Sequence, residues 1–348
     1  MKKFDQITRR DFLNLSGGLL AAPALGRGFA QQTRPDLSAI KTRADWQRAR
    51  KQILEGMQLV MGNLPAGNQE PVRFVELEKE DLGTFTRTKI KYLSEREDWV
   101  MAYLLVPKIR KRRVPAMLCL HQTIKIGKGE PAGLGGSANL QYAKELAERG
   151  YVCIVPDYPY LGENSFDPYK NGYVSCTMKG IWNHMRAVDL LQSLPIVDGK
   201  RIGSIGHSLG GHNTLFVAAF DQRIKAMVTS CGFTAAKKYY NGDLTGWAGV
   251  RYMPLIAEKY GKDPSRIPFD FPELLVSLAP RPLFINAPLH DSNFEVSGVR
   301  DCVAVAKPLY DTIFKAKDSL VAVYPDSNHD FPPEVRQQAY HFLDRWLA

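Results

Sequence analysis

Paired cysteines, long apolar runs and internal repeats are all missing from this 348-residue sequence. The five cysteines are odd in number and widely spaced, which argues against a disulfide framework. No CxxC or HExxH pattern is present, so the sequence offers no recognised zinc motif. No stretch reaches the roughly 20 consecutive apolar residues that a membrane-spanning helix needs. We therefore expect a chain that folds around a hydrophobic core and carries no metal or other cofactor.

The first thirty residues predict an export signal rather than part of the fold. Two lysines precede Thr8-Arg9-Arg10-Asp11-Phe12-Leu13-Asn14, which resembles a twin-arginine signal. A short apolar stretch from Leu15 to Leu25 follows, and Gly28-Phe29-Ala30 offers small residues for cleavage. A ragged N-terminal helix is the alternative interpretation. We expect a periplasmic or secreted protein with no stable membrane insertion.

The formal net charge of +10 raises the question of a nucleic-acid partner. Part of this charge lies in the basic run from Lys108 to Arg113, which has no interleaved aromatic residues and matches no binding motif. The run leads into a predicted strand at Val114, and ligands of α/β sheets bind beyond the opposite ends of the strands. We therefore predict a solvated turn and no nucleic-acid partner.

The apolar pattern changes character at Val114. Before it, we predict a polar linker and an amphipathic helix within residues 31–70, and then three half-buried antiparallel strands at 72–80, 84–93 and 98–106. After it, strands at 114–120, 151–156, 201–205, 224–230, 282–287 and 319–324 alternate with helices at 139–149, 173–193, 209–220, 272–278, 297–316 and 333–347. The alternation predicts an α/β fold with a mostly parallel central sheet, helices on both faces and antiparallel strands at its N-terminal edge. One catalytic domain would then span residues 71–348.

Residues 232–271 interrupt this alternation and are rich in tyrosine, tryptophan and proline. They fall where an insertion would cover the active edge of the sheet. We interpret them as a cap that contacts substrate.

Ser208 lies at the centre of Gly206-His207-Ser208-Leu209-Gly210, between a predicted strand and a predicted helix. A serine on such a turn, with glycine two places to each side, is the pattern of a nucleophile elbow. The glycines permit a turn too sharp for side chains, and the helix N-terminus favours negative charge. An idle serine in a glycine-rich turn is the alternative.

A serine nucleophile needs a histidine base and an acid that orients the base. In proteins with this elbow, the acid and then the histidine follow the serine in the chain. His329 comes after the last predicted strand and is our candidate base. Asp291, four residues past the preceding strand, is our candidate acid, and Glu295 is its alternative. We consider Asp326 and Asp330 too close to His329 in sequence, and Asp243 a more remote candidate.

An oxyanion intermediate needs backbone donors. We expect the N–H of Leu209 and a second N–H from the loop after strand 114–120, with Gln122 preferred over Thr123. His121 would order this loop. His184, His207 and His212 are interpreted as packing residues rather than metal ligands, because their spacing does not place them on one helical face.

With these motifs placed, residues 70–348 resemble the α/β-hydrolase superfamily, and more narrowly the bacterial dienelactone-hydrolase-like and acetyl-xylan-esterase-like serine esterases. The resemblance rests on the elbow and on four flanking stretches, at 150–157, 197–203, 221–226 and 279–282. Ser208 replaces the cysteine nucleophile of true dienelactone hydrolases. Leu209 replaces the glutamine of cephalosporin-deacetylating acetyl esterases and the arginine of glucuronoyl esterases. No substrate of those enzymes is therefore carried over.

The resemblance implies a serine hydrolase that cleaves a carboxylic ester of a small molecule or carbohydrate through an acyl-enzyme. A small acyl ester on a carbohydrate is the substrate we expect. An oligopeptidase-like serine peptidase is one alternative, although the strands before the core are too few for the β-propeller such enzymes carry. A catalytically silent binding protein is the other, and the complete set of candidate residues argues against it.

Overall fold

The computed structural model describes residues 33–67, 71–108 and 113–348. The predicted export signal and residues 109–112 of the basic run lie outside the described residues. Within the described ranges, every helix falls short of the length and apolarity needed to cross a bilayer.

Nine strands of the described chain form a single sheet. They are β1 Phe74–Asp81, β2 Phe85–Glu95, β3 Asp98–Pro107, β4 Val114–Leu120, β5 Val152–Pro156, β6 Val197–His207, β7 Ile224–Ser230, β8 Leu283–Asn286 and β9 Leu320–Val323. Their order across the sheet is β1-β2-β3-β5-β4-β6-β7-β8-β9. Strands β1 to β3 pair antiparallel with one another, and β3 pairs antiparallel with β5. All remaining pairs are parallel, which confirms the predicted architecture.

Helices cover both faces of this sheet. They are α1 Arg43–Met61, α2 Tyr142–Glu148, α3 Cys176–Ser193, α4 Leu209–Phe220, α5 Leu255–Glu258, α6 Phe271–Leu278, α7 Val296–Pro308 and α8 Pro333–Leu347. Buried side chains of α1, α3, α4, α6 and α7 share one hydrophobic cluster, and those of α2 and α8 share another. The strands between the two layers are buried on both faces, as parallel strands are. This fold is the α/β-hydrolase fold.

The outermost strand differs from its prediction. Strands β2 and β3 alternate in burial as expected, but every residue of β1 after Phe74 is exposed. Strand β1 pairs only with β2, its register shifts between Glu76 and Glu78, and most of its side chains are charged. An edge strand with a bulge and charged side chains does not bury a regular face.

Several helices also begin or end at residues other than those predicted from the apolar pattern of the sequence. The segment at 139–149 splits into a 3₁₀ turn at Ala138–Leu140 and the shorter α2. The helix predicted over 297–316 ends as α7 at Pro308, whose ring removes a backbone donor, and a π-helical turn follows. Helix α3 begins at Cys176 rather than at 173, because Ser175 caps it. The four-residue α5 lies in the segment for which no helix is predicted.

A buried ion pair joins the antiparallel strands to α3. Lys179 has a fully buried side chain, and its Nζ lies 2.6 Å from an Oδ atom of Asp98, itself 2% exposed. The ammonium also contacts the carboxylate of Glu95 and stands 4.4 Å from the ring centroid of Phe166. Since removing one partner leaves the other charge buried alone, this pair is costly to break.

We expect Lys179→Met to lower the free energy of unfolding by about 3–5 kcal/mol, because Asp98 then stays buried without its main partner. Urea unfolding followed by circular dichroism measures this change. Lys51→Met, at an exposed i,i+4 pair with Glu55, is the matched control and should change stability by less than about 1 kcal/mol. Equal effects of the two substitutions would contradict the prediction.

Candidate active site

Ser208 occupies a strained turn between β6 and α4. Its backbone has φ 54° and ψ −118°, a left-handed conformation that a non-glycine residue adopts only at a cost. Its N–H donates to the carbonyl of Ser230 at 2.8 Å, which ties the turn to the end of β7. A Cβ atom on Gly210 would overlap the carbonyl oxygen of Leu120, and one on Gly206 would overlap the Gly210 backbone. The flanking glycines are therefore required by the close approach of α4 to β4.

His329 and Asp291 lie side by side at the ends of two further strands. Nδ1 of His329 is 2.9 Å from each carboxylate oxygen of Asp291. The carboxylate also accepts the backbone N–H groups of Asn293 at 2.8 Å and Phe294 at 3.1 Å. Nδ1 of the neutral imidazole carries the proton and donates it as a hydrogen bond to the Asp291 carboxylate. Nε2 is therefore left as a proton acceptor. The rings of His207 and Phe294 flank His329, with centroids 4.7 and 6.0 Å away.

The competing acids have other partners. Glu295 accepts from the hydroxyl of Ser297, and Asp326 pairs with His290 at 2.7 Å. Asp330 accepts from Asn139 at 2.7 Å, and Asp243 accepts from the N–H of Thr245 at 3.0 Å. Of the five candidate acids, all within the described residues, Asp291 is the one hydrogen-bonded to His329.

The two predicted oxyanion donors come from neighbouring elements. Leu209 is the first residue of α4, where a backbone N–H has no partner within the helix. Gln122 follows β4, and its side-chain amide donates to both oxygens of Glu130, at 3.1 and 3.0 Å. Burial raises the pKa of Glu130. The neighbouring Thr123 hydroxyl lies 2.9 Å from the hydroxyl of Tyr252.

His121 connects this loop to the chain after β5. Its Nε2 accepts the N–H of Tyr158 at 3.0 Å, so Nδ1 carries the proton and donates to the carbonyl of Gln122 at 2.6 Å. Burial lowers the pKa of His121, which keeps the ring neutral and preserves this pattern. The arrangement matches the ordering role expected for His121.

A single cavity of about 1250 Å³ brings these groups together. Ser208, His329, Leu209 and Gln122 all line it. The segment expected to form a cap contributes seven lining residues: Tyr239, Tyr240, Asp243, Thr245, Gly246, Trp247 and Tyr252. Within that group, the rings of Tyr239 and Trp247 are stacked, with centroids 4.2 Å apart.

His212, one turn beyond Ser208, also lines the cavity. Its ring stacks on Phe216 with centroids 4.0 Å apart, and burial lowers its pKa to about 3. Burial likewise lowers the pKa of His184 to about 3. Both rings are therefore neutral near pH 7, as packed histidines are.

One group in the described part of the chain has the ligand types of a metal site. Donor atoms of His207, Cys231 and His329 all lie within 4.8 Å of one another. Each has another partner, however: His207 contacts Ser230 at 2.9 Å, Cys231 donates to the carbonyl of Asp330 at 3.4 Å, and His329 contacts Asp291. Burial raises the pKa of the Cys231 thiol well above its ordinary value, which disfavours the thiolate that binds metals. The group fits packing around His329 better than metal binding.

Sequence reasoning missed Glu130, Asn293 and Phe294 as residues of the cavity wall. Asn293 and Phe294 follow Asp291 in one loop, and their proximity to the candidate acid was the available signal. No sequence pattern pointed to Glu130, because it lies within the long loop between β4 and α2 and not next to the end of a strand.

The fold and the cavity define an α/β-hydrolase of the serine type. Residues 137–348 match the family model described as the prolyl oligopeptidase family. The chain belongs to this family.

Individual proteins of known sequence or structure are also similar to this chain. The Bacillus subtilis protein "Putative hydrolase YtaP" is 26% identical over 312 residues, which cover 86% of this chain and 98% of that protein. Other curated relatives match over only 30–37% of their own length. A solved glucuronoyl esterase from Solibacter usitatus superposes with a TM-score of 0.71 at 17% identity, covering 92% of this chain and 98% of that one. An acetyl xylan esterase from Paenibacillus sp. R4 gives 0.59 at 14% identity, with 91% and 98% covered.

We expect Asp291→Asn to lower kcat by about 10⁴-fold, because an amide no longer fixes the imidazole tautomer or stabilises its charged form. Glu295→Gln is the matched control and should stay within about threefold of the unchanged protein, since Glu295 contacts Ser297 rather than His329. Hydrolysis of an activated aryl acetate measures both. A larger loss in Glu295→Gln would move the acid role to Glu295.

Proposed function

We propose that the chain is an exported serine hydrolase that cleaves a carboxylic ester through an acyl-enzyme. Ser208 is the nucleophile, His329 the general base and acid, and Asp291 the residue that orients His329. The N–H groups of Leu209 and Gln122 form the oxyanion hole. The observation that carries the proposal is a strained serine elbow that shares one cavity with a histidine bonded to a buried aspartate.

The chemistry follows from these positions. The Oγ atom of Ser208 attacks the ester carbon while its proton passes to Nε2 of His329. Negative charge develops on the former carbonyl oxygen, where the two N–H groups stabilise it. The C–O bond to the alcohol then breaks, and His329 returns the proton to the leaving oxygen. A water molecule releases the acid by the same sequence, and Ser208 regains its proton.

The cavity supports a carbohydrate ester as substrate. Its volume exceeds the roughly 300–1,000 Å³ usual for small-molecule sites, so it accommodates an alcohol much larger than an acyl group such as acetyl. The stacked Tyr239 and Trp247 offer an apolar surface to a sugar ring, while Glu130 and Asp243 offer acceptors to hydroxyl groups. The solved relatives named above are esterases of carbohydrate substrates by title, which agrees with this choice.

The domain organisation is part of the proposal. Residues 1–30 would direct export to the periplasm or beyond, residues 31–70 would form a linker with its helix, and residues 71–348 would form the catalytic domain. Residues 232–271 would act as its cap. The seven cap residues that line the cavity support this assignment.

Peptide hydrolysis is the second candidate, because the matching family model is that of prolyl oligopeptidases. The same triad would serve an amide as well as an ester. The two candidates therefore differ only in the substrate that the cavity selects.

The decisive measurement is the intact mass of the protein after treatment with a fluorophosphonate. We expect one adduct per chain on the unchanged protein and none on Ser208→Ala, because only an activated serine reacts. Ser204→Ala is the matched control: this serine is buried on β6 beside Thr214 and should not alter labelling. An adduct on Ser208→Ala, or none on the unchanged protein, would contradict the proposed nucleophile.

Substrate class is then measured with acetylated xylo-oligosaccharides, methyl uronate esters and a prolyl p-nitroanilide. Of these substrates, we expect the acetylated xylo-oligosaccharides to give the highest kcat/KM. Ser208→Ala should lose roughly 10⁶-fold in kcat on that substrate. Preferred cleavage of the anilide would establish the peptidase instead.

A further inference from the structure

Behind the cavity wall, a buried carboxylate holds the loop that carries Gln122. Asp157 follows β5 and is fully buried. Its Oδ1 accepts the backbone N–H of Lys128 at 2.9 Å, and its Oδ2 accepts the Lys128 ammonium at 2.7 Å. Oδ2 also accepts the backbone N–H of Glu163 at 2.9 Å. The side chain of Lys128 is only 3% exposed, so both charges of this pair are shielded from water.

Two glycines show how closely the backbone is built around this carboxylate. Gly127 and Gly162 have φ angles of +52° and +59°, and a Cβ atom on either would overlap Oδ1 of Asp157. The loops after β4 and after β5 therefore both pass directly over the carboxylate. Because only glycine permits this approach, the local path of both loops depends on what occupies position 157.

The chain after β5 holds the loop after β4 at both of its ends. At the far end, Asp157 binds Lys128 through backbone and side chain. At the near end, the N–H of Tyr158 donates to His121, which in turn donates to the carbonyl of Gln122. The hydrogen bond from His121 fixes the peptide unit that joins Gln122 to Thr123, which adjoins the unit that carries the N–H of Gln122. Residues 157 and 158 therefore hold the loop on both sides of that N–H, through Lys128 and through His121.

Neither Lys128 nor Asp157 lines the cavity, whereas Gln122, Ile126 and Glu130 of the same loop do. The pair therefore has no contact through which to act on a bound substrate directly. We propose that Lys128 and Asp157 form a positioning clamp that aims the N–H of Gln122 at the developing oxyanion. This inference rests on the proposed acyl transfer and deepens it.

The clamp extends toward the surface through Glu163. The Lys128 ammonium lies 2.6 Å from Glu163, and Glu163 lies 3.0 Å from Lys89 on β2. Lys128 is therefore shared between a buried and a half-exposed carboxylate. When Asp157 loses its charge, the Lys128 ammonium keeps one carboxylate partner, Glu163, and the ring of Tyr103 at 5.6 Å. Asp157→Asn is therefore a milder variant than the double substitution.

The test compares Asp157→Asn and Lys128→Met/Asp157→Asn with variants of a second buried pair that neither lines the cavity nor contacts the loop after β4. Lys179→Met/Asp98→Asn is the matched control, because that pair is equally buried but lies between β3 and α3. Active sites are first counted by fluorophosphonate adduct mass, and kcat is then expressed per titrated site. KM and the inhibition constant of a boronic acid, which mimics the tetrahedral intermediate, are measured on the same samples.

For the clamp double variant we expect kcat per titrated site to fall about 10–100-fold, since a misplaced oxyanion donor costs that much. KM should stay within about threefold, and the boronic acid constant should rise by a factor similar to the loss in kcat. Asp157→Asn should show the same pattern to a smaller extent. The control variant should lose stability while it keeps kcat per site within about twofold.

Two outcomes separate the proposals. If the unchanged protein is labelled and either clamp variant keeps its kcat per titrated site within twofold, the clamp is overturned while the acyl transfer stands. If the unchanged protein takes no label, the proposed function fails and the clamp fails with it. Equal losses of kcat per site in the clamp and control variants would show a general effect of destabilisation and would also overturn the clamp.

Discussion

The closeness of α4 to the end of β4 is the constraint on which the candidate site depends. Gly210 has no side chain because the carbonyl of Leu120 occupies that space. The same contact brings Leu209, the residue after the candidate nucleophile, beside the loop that begins at His121. This contact brings the candidate nucleophile and the two candidate oxyanion donors to one cavity. The strain at Ser208 is a consequence of that packing, and the hydrogen bond from its N–H to the Ser230 carbonyl of β7 holds it in place.

The remaining site residues are gathered by the topology of the sheet. Gln122, Ser208, Asp291 and His329 each follow the carboxyl end of a different strand, and parallel strands present those ends at one edge. The sheet itself supplies no chemistry. It places four loops side by side, and the loop sequences determine what the edge can do.

The position of each site residue relative to a strand end explains whether it could be predicted from the sequence. The candidate nucleophile, acid and base follow strand ends, so strand periodicity and chain order were enough to nominate them. The parallel core, with antiparallel strands at its N-terminal edge, was likewise predictable from the alternation of apolar strands and helices. The half-buried face predicted for strand β1 is absent because the strand lies at the edge of the sheet with one neighbour, carries a bulge and is mostly charged. The Lys128–Asp157 pair joins loops of two strands across 29 positions, and no local pattern encodes such a contact.

Both margins of the sheet are poor templates for another strand. At one margin, β1 is charged and carries a register shift. At the other, β9 is only four residues long. Charged, bulged or short outer strands resist edge-to-edge association between copies of a chain. Neither edge of the described sheet therefore offers a long, regular strand on which a second copy could extend it, which disfavours growth into extended β aggregates.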